Sequence, residues 1–218
     1  MKKTLLSAAA ALAATFATPA AADVVVLDFE GISDLSPVGS FYAPEYSFSA
    51  DTLAVIDADS GGSGNFANEP SPNTIMFFLN ANNAVLDVTN GFDTGFSFFY
   101  SSSTAATVNV YGGLGGTGDL LASLDLTAQG FSNCVGDPSG DFCNWTAVGV
   151  EFIGTAFSID FGGTANQTGF DDITFGSATP GGGAVPEPGT WAMMLLGFGA
   201  VGFAMRRRKG ALLDLAKA

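Results

Sequence analysis

Short apolar or alternating runs recur along most of the chain. They fall at 24–29, 52–56, 74–79, 84–89, 95–101, 107–111, 120–126, 145–152, 156–161 and 170–175, and are rich in Val, Ile, Phe and Thr. Phe157, Ile159 and Phe161 alternate with Ser158 and Asp160, the period-two pattern of a half-buried strand. Asn90-Gly91, Gly112-Gly113, Gly115-Gly116 and Gly162-Gly163 punctuate the runs as turn formers. No stretch of this region shows a helical period, and no internal repeat is visible. Ten or so strands within residues 23–176 predict one all-β domain, an antiparallel β-sandwich of jelly-roll-like order.

The two ends carry a different pattern. Lys2 and Lys3, an apolar stretch at 5–14 and Ala20-Ala21-Ala22 before Asp23 predict a secretory signal peptide over 1–22. That apolar stretch is too short to span a hydrocarbon core of about 30 Å. Near the other end, residues 191–205 are uncharged and apolar, flanked by Trp191 and by Arg206-Arg207-Arg208-Lys209. An interfacial tryptophan and a cytoplasmic basic cluster predict a single C-terminal transmembrane helix with the body outside. Fifteen helical residues reach only roughly 22 Å, shorter than a usual span. Residues 177–184 read as a Gly/Pro linker before this segment, and 210–218 as a short cytoplasmic tail.

Charge sharpens the division. Residues 23–184 hold 19 Asp and Glu and no Lys, Arg or His, so every basic residue lies in the terminal segments. The absences exclude whole classes of chemistry. Without histidine there is no Ser-His-Asp or Cys-His nucleophile system, and without lysine no Schiff base. Without arginine there is no bidentate phosphate clamp. Nucleic acid is excluded as a partner, because phosphate neutralisation dominates that affinity. The surviving enzymatic alternative is a carboxylate pair acting on a glycosidic bond, a glycoside hydrolase for extracellular polysaccharide. Nineteen carboxylates create such pairs by chance, so the expectation is a non-catalytic protein.

Val185-Pro186-Glu187-Pro188 is followed by Trp191-Ala192-Met193-Met194, Gly197-Phe198-Gly199, Gly202 and the arginine cluster. Two prolines hold Glu187 in extended backbone, the form a protease reads. This order resembles the PEP-CTERM sorting signal, in the variant where Trp-Ala follows Pro-Glu-Pro, over about 25 residues of 218. The resemblance implies sorting residues Pro186, Glu187, Pro188, Trp191, Arg206, Arg207 and Arg208, within a signal spanning 185–209. It implies a Gram-negative host, export by the Sec machinery, and an inner-membrane precursor processed by an exosortase. The processed protein would then reach the cell surface or the exopolysaccharide and biofilm matrix, in a structural or glycan-binding role.

Candidate sites within the body are few. Cys134 and Cys143 flank a turn-rich stretch and, in an exported chain, predict a disulfide. Closing a loop of about ten residues stabilises by roughly 2.7 kcal/mol on the chain-entropy model. Asp28 and Glu30 lie on the first predicted strand or its end, Asp171 and Asp172 on the last. These strands resemble the terminal strands of galactose-binding-like jelly rolls, some of which hold a structural calcium between them. That resemblance implies a calcium site at these four residues; four solvated acids at strand ends is the alternative. Asp57-Ala58-Asp59-Ser60-Gly61-Gly62 begins like an EF-hand loop, but Gly61 and Asn68 stand where ligands belong, which favours a plain loop. Tyr42, Tyr46, Tyr100, Tyr111 and Trp145 are the candidate sugar-stacking aromatics, with core packing the competing use of each.

Overall fold

The computed structural model describes residues 24–131, 141–182 and 194–199. The chain divides into two units, one formed by 22–185 and the other by the two termini. In the terminal unit only a helix at 194–199 is described, and no helix among the described residues is long and apolar enough to cross a membrane. The signal peptide and most of the expected transmembrane segment lie outside the described residues.

The larger unit is an all-β antiparallel sandwich. Its strands are β1 (Val25–Leu27), β2 (Tyr46–Phe48), β3 (Thr52–Ile56), β4 (Thr74–Phe78), β5 (Asn83–Phe92) and β6 (Gly95–Ser102). They continue as β7 (Ala106–Gly113), β8 (Thr117–Leu126), β9 (Thr146–Glu151), β10 (Ala156–Gly162) and β11 (Thr168–Phe175). One sheet runs β3-β4-β11-β6-β9, with β1 also paired to β11, and the other runs β2-β5-β10-β7-β8. From β4 onward, β4-β11-β6-β9 faces β5-β10-β7-β8, the order of two interlocked Greek keys that makes a jelly roll.

The period-two pattern dictates which faces meet. Phe96, Phe98 and Tyr100 of β6 turn inward, as do Phe170, Ile173 and Phe175 of β11 and Ile159 and Phe161 of β10. At the centre, the Phe98, Phe161 and Phe170 rings pack edge-on, with centroids 4.9 to 5.8 Å apart. Tyr46 and Tyr100 belong to this core and are unavailable as sugar platforms: Tyr46 stacks on Phe175 at 4.9 Å.

The structure departs from the sequence pattern at three places. Asn90-Gly91 does not end a strand; β5 runs on to Phe92, and the register against β10 shifts at Ala156/Ser158. Gly91 has φ +69, and a Cβ there would lie 2.7 Å from Thr155 Cγ2, so this is a bulge that only glycine fits. Strand β2 was not predicted, because a three-residue run beside Pro44 and a turn gives no readable period. Residues 177–182 do not behave as a free linker. Ser97 Oγ donates to the Ser177 carbonyl and the Gly181 N–H to Thr174 Oγ1. A Cβ on Gly149 would sit 2.0 Å from the Ala178 carbonyl, so the missing side chain admits this strap.

Candidate functional site

The outer face of the β3-β4-β11-β6-β9 sheet carries an open apolar cleft of about 280 Å³. The strands supply its floor: Val55, Ile75, Phe77 and Gly169. Phe77 pairs with Gly169, and Gly169 with Ser101, so small residues leave a trough beside a large one. Trp145 occupies one side of that trough; its ring would lie 3.4 Å from a Cβ on Gly169. The indole N–H donates to the Ala67 carbonyl at 3.1 Å, and the ring meets Phe66 edge-on at 6.3 Å. Trp145 is therefore fixed by packing beside the cleft, behind the residues that line it.

A wall of the cleft comes from the long β3–β4 connection. At its start, the Asp57 carboxylate accepts from Asp59 N–H and caps a 3-10 turn, Ala58–Ser60. Further on, Phe66 bridges to Phe142, the Ala67 N–H donates to the Phe142 carbonyl, and Asn68 Nδ2 donates to the Cys143 carbonyl. Cys143 is buried directly behind this wall. Cys134 lies outside the described residues, so the expected bridge does too.

Four uncharged polar residues line the cleft: Ser63, Asn65, Asn166 and Thr168. Two carboxylates hold the first pair. Ser63 Oγ donates to Asp34 Oδ2 at 2.8 Å, and Asn65 Nδ2 to Asp141 Oδ2 at 3.1 Å. Partial burial pushes the Asp34 carboxyl up, but N–H donors including Ile56 and the Ser63 hydroxyl outweigh it and hold it below its ordinary value. Asn166 is exposed, with φ +57. None of these polar residues was singled out from sequence. The signal was available in the length of the 57–73 connection, since long irregular loops in compact domains are usually functional.

The four predicted calcium residues do reach one edge of the fold. Strand β1 pairs antiparallel with β11, Leu27 opposite Ile173. Strand β4 leaves β11 at Phe170, and a bulge follows, with Asp172 at φ +48. There the Asp171 carboxylate replaces the missing ladder partner. It accepts from Ser71 N–H at 2.9 Å, Ser71 Oγ at 2.8 Å and Asp172 N–H at 2.7 Å. Glu30 likewise accepts from the Asn73 and Thr74 N–H groups at 2.8 Å, and Asp28 Oδ1 from Glu30 N–H. Much of the set's acceptor capacity thus serves internal donors, and no three acidic groups among the described residues are grouped to hold a metal.

Their charges still crowd one another. Burial first, then the Asp172 charge, pushes Asp171 up to about 7. Burial and the Asp28 charge also raise Asp172. Burial together with Asp28, Asp171 and Glu30 raises Tyr42, whose hydroxyl accepts from the Phe29 N–H at 2.7 Å. Tyr42 is thereby a structural acceptor. Of the candidate aromatics, Tyr111 remains half-exposed, on the outer face of the second sheet opposite Leu120.

The description PEP-CTERM protein-sorting motif matches the chain over 184–209. Those residues are a PEP-CTERM sorting signal. A PEP-CTERM signal indicates an exported, membrane-anchored precursor sorted to the cell surface. No curated protein matches the chain by sequence. Solved structures offer distant likenesses to the body. A family 6 carbohydrate-binding module, dissected for its binding sub-sites, is 12% identical with TM-score 0.40, covering 69% of this chain and 92% of that one. TmCBM61 in complex with β-1,4-galactotriose is 13% identical with TM-score 0.36, covering 66% and 97%. A glycoside hydrolase family 43 arabinoxylan arabinofuranohydrolase from Bacillus subtilis, in complex with cellotetraose, is 14% identical with TM-score 0.39. The likeness covers 68% of this chain but only 30% of the hydrolase. At such identities and scores, nothing about ligands passes from them to this chain.

Proposed function

We propose that this is an exosortase-processed surface or matrix protein of a Gram-negative bacterium whose sandwich binds glycan non-catalytically in the cleft over Phe77. One observation carries the reading: an open apolar floor ringed by uncharged hydrogen-bonding groups, on a chain that bears a surface-sorting signal. A pyranose has the matching chemistry, with an apolar face to lie on Phe77 and hydroxyls to meet Asn65 and Asn166. The reading needs no reacting group, since Asp34 and Asp141 at the cleft already serve as acceptors within the protein. The hydrolase alternative predicts reducing ends released from a polysaccharide, lost on Asp34→Asn or Asp141→Asn.

Retention on an immobilised polysaccharide panel tests the binding reading. Asn166→Gly preserves the left-handed backbone while removing the amide, and is expected to weaken retention by about tenfold with little change in melting temperature. Phe142→Ala removes a wall and weakens retention further. Absence of retained sugar from every class in the panel sinks the reading.

Calcium at Asp28, Glu30, Asp171 and Asp172 is a separate proposal, supported by the crowding of like charge at the β1–β11 edge. A domain without cationic side chains is stabilised by any salt through screening. The site therefore requires calcium to raise the melting temperature beyond sodium chloride of equal ionic strength. Equal melts remove it.

A further inference from the structure

We infer that the cleft selects glycans whose sugars carry free amines, preferring them to N-acetylated or neutral chains and rejecting uronate chains. The inference rests on the glycan-binding reading above. Its ground is the direction in which the cleft's hydrogen bonds already run. The Ser63 hydroxyl proton points to Asp34, and one amide hydrogen of Asn65 points to Asp141. Thr168 Oγ1 is engaged with Ser102 Oγ at 2.8 Å, inside the sheet. What remains toward the ligand is weighted to acceptors: the Ser63 lone pairs and the Asn65 and Asn166 carbonyl oxygens, against the Asn166 amide and the second Asn65 amide hydrogen as donors.

A bound ligand must therefore bring donors. Hydroxyls and N-acetyl amides do so as neutral donors, and a protonated amine does so with charge. The charge has two counterparts at the rim, the Asp34 and Asp141 carboxylates one hydrogen bond behind the contact groups, and no cation in 23–184 to oppose it. Asp34 is held ionised at neutral pH by its own donors. Charge-assisted hydrogen bonds are roughly twice as strong as neutral ones. Around the cleft, the excess of carboxylate also raises the local concentration of a cationic chain and lowers that of a polyuronate.

The test is calorimetric binding of the purified, processed protein at near-physiological salt with chelator, at a pH where amines are protonated. Four tetramers are compared: β-1,4-glucosamine, β-1,4-N-acetylglucosamine, α-1,4-galacturonate and, as a plain polycation, lysine. Expected is about tenfold tighter binding of glucosamine over N-acetylglucosamine, equivalent to one charge-assisted bond, with neither galacturonate nor tetralysine held. Asp141→Asn should bring the glucosamine preference towards unity. Asp119→Asn, which removes the same charge from exposed β8, should leave it unchanged. Equal affinity for both hexosamine tetramers overturns the amine inference and leaves the glycan reading standing. Tetralysine binding as tightly as glucosamine, or a preference undiminished in Asp141→Asn, also overturns it. Failure of all three sugars, extended to neutral tetramers of glucose and galactose, removes the glycan reading itself.

Discussion

Acidification from pH 8 to pH 5 is expected to raise the melting temperature of this protein, by about 10 °C in chelator-treated buffer. The Asp171 carboxyl is fully buried, and its folded value is pushed up from 3.8 to about 7. Between those values the folded state keeps a proton that the unfolded chain has released, so stability falls as pH rises through the window. Only the two pH units between pH 5 and the folded value near 7 count here, so at about 1.4 kcal/mol per unit the difference is roughly 3 kcal/mol. Asp172 is shifted the same way. Asp34 runs oppositely: its contribution is present above the unfolded value and is lost only as pH falls through its lower folded value, outside this range. Mutual repulsion among the remaining carboxylates adds to the trend. Asp171→Asn cannot ionise and should flatten most of the slope, although its amide faces the Ser71 N–H and lowers stability at every pH. A melting temperature that climbs between pH 5 and pH 8 contradicts the burial of an ionisable group at this bulge.

Phe161→Ala should be the most damaging single truncation in the sandwich, at about 3–5 kcal/mol. Its ring lies between the sheets against Phe96, Phe98 and Phe170, and is fully buried. Alanine would leave a void bordered by the rings of the facing sheet, and strands held in register on both sides of β10 cannot collapse to fill it. Phe131→Ala offers the contrast, since that ring is 64% exposed and its loss should change stability little. Chemical denaturation of both variants measures the difference; equal costs would mean that the core is not centred on this cluster.

The fold was largely legible because its strands are half-buried and their alternation survives in the sequence. The run 52–56 coincides with β3, and 156–161 with all but the last residue of β10. What escaped was governed by partners distant in sequence. Gly91 looks like a turn until Thr155 is placed against it, and 177–182 looks like a linker until Gly149 is seen to make room for it. The predicted acids did converge on the β1–β11 edge, but the ladder's need for acceptors, met by Asp171 and Glu30, could not be read beforehand. Of the named aromatics, Trp145 lies beside the cleft but behind its lining; the floor is Phe77, indistinguishable by type from core phenylalanine. The rim was invisible because Asn65 and Asn166 are joined to the cleft by tertiary structure alone.

Hydrogen–deuterium exchange of the purified protein, with and without saturating glucosamine tetramer, addresses the cleft most directly. Slowed exchange confined to 63–67, 75–79, 141–145 and 166–169 is the predicted footprint. A footprint on the outer face of the second sheet around Tyr111, or unchanged exchange under demonstrated binding, would contradict the placement of the glycan over Phe77.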